Sequence, residues 1–160
     1  MTPRLAALLL AAGLIAGSGP AGAADPEDGL SAEWNGEGTL TAPAAAPIPV
    51  TRLIWANRPL DGRTVYNAVR PDGGWTGFSG GERPKPSAGA WIVEVDALIE
   101  GATAGAKSVR ATGQCRGRYR DPERRVLVSL ECTARTKQGE TAFMFRGDGQ
   151  RGRFQALPRT

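Results

Sequence analysis

No histidine occurs in this chain. That absence removes Ser-His-Asp and Cys-His nucleophile pairs, imidazole-based zinc sites and the usual proton shuttle near neutral pH. Cys115 and Cys132 are the whole thiol complement. They cannot form a four-thiolate metal site, and their spacing is not that of a Cys-x-x-Cys redox motif. Asp61 and Asp72 sit in turn sequences, where a carboxylate closes local hydrogen bonds, and no spaced run of oxygen ligands reads as a calcium loop. The sequence therefore predicts no metal and no cofactor. Long apolar runs are also missing: after Ala24 nothing is apolar enough for long enough to span a bilayer, and no segment there carries a helical period of useful length.

A hydrolase built without these groups would have to run on carboxylates. Glu94, Asp96 and Glu100 are the acids placed to do so, in the manner of a glycosidase acid and base. An ion pair is the plainer reading, because in the expected register Asp96 stands across the ladder from Arg110. Gly147-Asp148-Gly149-Gln150-Arg151-Gly152 spells a dinucleotide-binding fingerprint. That fingerprint needs a helix and a further strand after it, and neither is written there. A tight glycine hairpin between Phe145 and Phe154 is expected instead.

What is present begins with a leader. Met1-Thr2-Pro3-Arg4 precedes an apolar run from Leu5 to Ala16, and small residues follow as far as Ala21-Gly22-Ala23-Ala24. This is the order of a secretory signal peptide, with cleavage expected after Ala23 and no cysteine beside the site to acylate. Residues 24–160 then form a single β domain with a loose N-terminal segment, 24–35, in a periplasmic or secreted protein. Charge is uneven along it: residues 24–104 hold six basic and eleven acidic side chains, residues 105–160 thirteen and five.

The clearest pattern runs from Ser108 to Arg135. Val109, Ala111, Gly113, Cys115, Gly117 and Tyr119 share one face of an extended strand, with Arg110, Arg116, Arg118 and Arg120 on the other. Asp121-Pro122-Glu123-Arg124 suits a type I turn, after which Val126, Val128, Leu130, Cys132 and Ala134 resume the apolar alternation. Folding this hairpin brings the cysteines opposite or one diagonal apart, so an oxidising compartment predicts a Cys115–Cys132 disulfide. A further hairpin turning at Gln138-Gly139 would set Ala134 against Phe143 and Cys132 against Phe145.

Other strands are expected over residues 36–41, 50–56, 63–69, 91–101 and 151–157, with residues 42–49 as an extended edge or linker. Residues 71–90, rich in glycine and proline, read as loop, with turns at Asp72-Gly73-Gly74 and Gly80-Gly81. Roughly eight short strands joined by Gly and Pro turns predict an all-β antiparallel barrel or sandwich, and the C-terminal up-and-down meander favours the barrel.

Two sets of residues are candidate ligand-binding groups. Arg116, Arg118, Arg120, Arg124 and Arg125 converge at the hairpin tip if the turn forms at Pro122-Glu123, and such a cluster suits anionic lipid or polysaccharide of the cell envelope. Their plainer role is to keep an outward strand face soluble. Trp75 and Phe78, set among glycines, offer rings for a ligand to stack on, or else plug one end of the core. The expected function is that of an exported non-enzymatic binding or envelope-associated module, its ligand held in a barrel mouth or on the Arg-rich face. The alternatives are a carboxylate-dependent hydrolase of envelope polysaccharide, or an inhibitor or structural partner of another periplasmic protein that uses residues 81–90. An anionic envelope component or a periplasmic protein is the expected partner, and nucleic acid is not.

Overall fold

The computed structural model describes residues 29–58, 61–83, 90–102 and 105–157. The expected leader and most of the proline-containing segment 81–90 lie outside the described residues. The alternating pattern becomes nine strands: β1 (Leu30–Thr41), β2 (Ile48–Arg58), β3 (Arg63–Val69), β4 (Trp75–Glu82), β5 (Ala90–Ala102), β6 (Gly105–Tyr119), β7 (Leu127–Thr136), β8 (Gly139–Gly147) and β9 (Arg153–Ala156). Among the described residues no helix is long and apolar enough to cross a membrane.

From β2 to β8 each strand pairs antiparallel with the next, β8 pairs with β1, and β1 returns to β2. The sheet is thus a closed eight-stranded up-and-down barrel with one added strand. Closure leaves no exposed edge along most of the wall. β8 covers Gly36–Thr41 of β1, and β9 takes up the same edge over Leu30–Glu33. Residues 148–152 therefore loop out between two successive stretches that both pair with β1. They do not form the glycine hairpin expected between Phe145 and Phe154, because β1 offers the free edge that Phe154 would otherwise need from β8.

An eight-stranded barrel is just wide enough for its own side chains to fill. Phe78 stacks on Phe143 with ring centroids 6.2 Å apart, and Phe143 meets Phe145 at 5.9 Å. Leu40, Leu53, Tyr66, Val93 and Leu130 close around them, all but free of solvent. Each such side chain contributes about 1.5–3 kcal/mol by leaving water. Cys115 and Cys132 are direct cross-strand partners within this core and are joined as a disulfide.

Several expected registers are displaced. The β7–β8 turn is Lys137-Gln138, since Thr136 pairs with Gly139, so Cys132 faces Phe143 and Leu130 faces Phe145. The slip is two residues and keeps every side chain on its expected face. At the start of β7 an irregularity opposite Arg118 and Tyr119 changes the phase: Leu127 is buried, while Val128, expected inside, is 44% exposed. Trp91 pairs with Gly117, farther along β6 than expected, and Val93 takes the place opposite Cys115.

Three segments expected to lack sheet structure carry it. Residues 30–35 form the first half of β1, anchored where Trp34 enters the core. Pro49 sits in β2, but β2 meets β3 only from Arg52 onward, so the proline occupies a stretch paired on one side alone. β4 is the largest miss. Its glycines read as turns, yet neighbours press on two of them: a Cβ at Gly77 would meet Asn67, and one at Gly80 would collide with the Glu94 carbonyl. Likewise the ring of Trp75 lies across Gly101 of β5, where any side chain would strike it.

Candidate functional site

Up-and-down connection sends alternate turns to opposite ends, so the barrel has two mouths. One carries the β2–β3, β4–β5 and β6–β7 connections and is filled by aromatic rings. Trp34 approaches Tyr119 at 5.9 Å and Phe154 at 6.0 Å between centroids, and its Nε1 donates to the Arg125 carbonyl at 3.0 Å. The Tyr66 and Tyr119 hydroxyls share a hydrogen bond of 3.0 Å. Burial pushes the Tyr66 phenol up to about 12 and raises that of Tyr119 well above its ordinary value.

Over these rings sits the β6–β7 loop. Asp121 ties it down: its carboxylate accepts from the Arg125 and Val126 amides, both at 2.8 Å, and its carbonyl accepts from the Arg124 amide at 3.1 Å. Those amides hold the Asp121 carboxyl below the usual carboxylate range. The turn expected at Pro122-Glu123 therefore forms. It also puts Arg124 in the left-handed region, at φ 59°. From there the side chain turns into the mouth, its guanidinium 3.9 Å from the Trp91 ring centre and 5.3 Å from that of Trp55. Glu82 receives it at 2.6 Å. A cavity of about 90 Å³ remains beside it, between Trp34, Trp55 and Phe154.

The other mouth is open. Leu98 and Val109 form the base of a cavity of about 400 Å³, Pro43 and Ala44 of the β1–β2 connection wall it on one side, and Glu100 and Lys107 stand beside it. Ala44, like Arg124, has a left-handed backbone, at φ 55°. Glu100 is already engaged, accepting from Arg70 at 2.8 Å and from the buried Thr76 hydroxyl at 3.0 Å. Lys107 is the register partner of Glu100, yet among the described residues it has no ion pair. The open mouth therefore offers an apolar floor and one uncommitted ammonium. A hollow of about 560 Å³ between Glu37, Glu131 and Arg146 is an open trough on the outer wall.

The residues singled out from sequence are dispersed. Trp75 and Phe78 are three apart in one strand and lie on opposite faces, Trp75 outside over Gly101 and Phe78 in the core. Arg116, Arg118, Arg120 and Arg125 stay on the outer surface, whereas Arg124 leaves that group for the mouth. Arg116 stands opposite Glu131, and Arg118 opposite Ser129. With Asp121 and Glu123 in the same loop, charge of both signs is interleaved there. The three acids part company too. Glu94 pairs with Arg83 at 2.8 Å, Asp96 with Arg63, and Glu100 with Arg70.

Asp96 falls at the bulge between Val95 and Ala97, which gives its expected partner Arg110 to Ala97 and turns the carboxylate toward β3. The Arg63 guanidinium then holds the Asp96 carboxyl below its usual range. Among the described residues no group of three potential metal ligands gathers. Sequence reasoning missed Glu82, Lys107 and the inward role of Arg124. The glycines of β4 read as turns and so hide Glu82, and a left-handed residue in a loop such as Arg124 has no sequence period. Lys107 extends the inner face of Val109 but stands out only because Arg70 takes Glu100.

The chain matches no protein-family model, no curated protein and no solved structure. A functional reading therefore rests on the two mouths.

Proposed function

We propose that this protein is an exported binding module that holds a small anionic amphiphile, an apolar tail with a carboxylate head, in its open mouth. The observation that carries the reading is Lys107, which lines a cavity of about 400 Å³ without a carboxylate partner among the described residues. Its natural counter-ion, Glu100, is neutralised by Arg70. An anionic head would supply the missing charge, and Leu98, Val109 and Pro43 would take the tail. The volume falls within the range of about 300–1,000 Å³ that small-molecule sites occupy. Export is supported by the leader-like N-terminus and by a disulfide, which is compatible with an oxidising compartment. A binding role rather than catalysis accords with the lack of histidine and with three carboxylates each committed to its own arginine.

Titration calorimetry with octanoate and octylamine, which share a tail and differ in the sign of the head, tests this directly. Octanoate should bind and octylamine should not, and Lys107→Met should remove the difference. Equal binding of both, or octanoate binding unchanged by Lys107→Met, would defeat the reading.

A further inference from the structure

At the opposite mouth the walls around Arg124 belong to one part of the fold and the occupant to another. Trp55 is on β2, Glu82 on β4 and Trp91 on β5, so the two rings and the carboxylate are held by paired strands of the barrel. Arg124 is on the loop between β6 and β7. The carboxylate does not depend on Arg124 for its position. Its Oε2 is met by the Thr64 hydroxyl at 3.3 Å and the Asn57 amide at 3.5 Å, while Oε1 takes the guanidinium. Two aromatic rings and one preset carboxylate are the elements that recognise a guanidinium: the rings attract the cation to their faces and the acid fixes the orientation of the fork.

The occupant is held less comfortably than the walls. Arg124 is one of only two non-glycine residues with a left-handed backbone among those described, a strained conformation that recurs at clamps and switches. Its side chain is 22% exposed and that of Glu82 15%, so the cage is reached from solvent without opening the core. The adjoining cavity of about 90 Å³, bounded by Trp34, Glu123 and Phe154, leaves space beside the guanidinium for the rest of a ligand.

We propose that the Trp55–Trp91–Glu82 cage is a binding site for the arginine side chain of a peptide, occupied in the free protein by Arg124. The loop arginine acts as an internal competitor. Binding in trans displaces it, and the β6–β7 loop is released from its left-handed turn. The apparent affinity of the unmodified chain is lowered by the fraction of time that Arg124 holds the cage.

The experiment uses N-acetyl-argininamide, with N-acetyl-citrullinamide as the uncharged isostere, and reads tryptophan fluorescence. Arg124→Gly empties the cage, and glycine accepts the left-handed backbone without strain. It should bind the arginine compound at least about tenfold more tightly than the unmodified protein does, and should discriminate against the citrulline compound by at least about tenfold. Adding Glu82→Gln to Arg124→Gly should abolish that discrimination. No binding to folded Arg124→Gly, equal binding of the two compounds, or equal affinity of the variant and the unmodified protein would each overturn the proposal. The unmodified chain gives a second route that does not depend on the variants folding. Saturation with N-acetyl-argininamide should shift the side-chain NMR signal of Arg124 to that of a free arginine, and an unmoved signal at saturation would overturn displacement.

Discussion

Cys115 and Cys132 stand directly opposite one another on β6 and β7 inside the barrel, with Cα atoms 4.0 Å apart. A bridge there links two strands that the closed sheet already holds together, so its main effect falls on the unfolded chain. Closing a loop with a sequence separation of 17 residues contributes about 3 kcal/mol. The intact oxidised protein should be two hydrogens lighter than the reduced one, and replacing both cysteines with alanine should lower unfolding free energy in urea by about that amount. Two thiols open to alkylation in the native protein would contradict the assignment.

Phe145 and Val128 separate the barrel's interior from its exterior. Phe145 is 3% exposed and packs on Phe143, whereas Val128 is 44% exposed. Phe145→Ala should cost about 3–5 kcal/mol, as loss of a buried aromatic does. Val128→Ser should stay within about 0.5 kcal/mol, the range of ordinary surface changes. Chemical denaturation of the two variants checks the register, and comparable losses would mean that β7 starts on the other phase.

The two tyrosines of the chain are the hydrogen-bonded pair of buried Tyr66 and partly buried Tyr119. Burial disfavours the phenolate, so the Tyr66 pKa in the folded state, about 12, exceeds the unfolded value. The stabilisation tied to this shift is complete below the ordinary phenol pKa of about 10 and is lost as pH rises through the folded value. Tyrosinate absorbance should be nearly absent from the native protein at pH about 10, where the urea-unfolded chain is half ionised. Stability should fall progressively above that pH. Half-ionisation of the native protein near pH 10 would show that the hydroxyl pair is open to water.

Much of this fold was legible because alternation survives in the longer strands. β3 is found over the same residues the pattern marks, Arg63–Val69, and the cysteines meet as the hairpin requires. What was not legible has local causes. β4 hides behind Gly77, Gly80 and Gly81: at Gly77 the absent side chain makes room for Asn67 and Trp75, and at Gly80 for the Glu94 carbonyl of the neighbouring strand, rather than for a turn. Bulges at Val95–Ala97 and Arg118–Tyr119 shift side chains by one position, which exchanges Val128 for Leu127 and moves Asp96 to Arg63. The sites were harder still. Arg124 belongs to a run of arginines in sequence, and only the left-handed turn separates it from them. Lys107 gains its meaning from Arg70, which is remote in sequence and takes its carboxylate partner away.

The most direct test of the central claim is where octanoate lands. Amide chemical shifts of the isotopically labelled protein, followed through a titration with octanoate, locate the contact without any substitution. Shifts that saturate together at Leu98, Lys107, Val109, Gln138 and Thr141, with Trp34 and Trp91 unmoved, are the predicted result, since the first five line the open mouth. Saturating shifts centred on the aromatic mouth or on the outer wall at Met144, or none at any site, would contradict it.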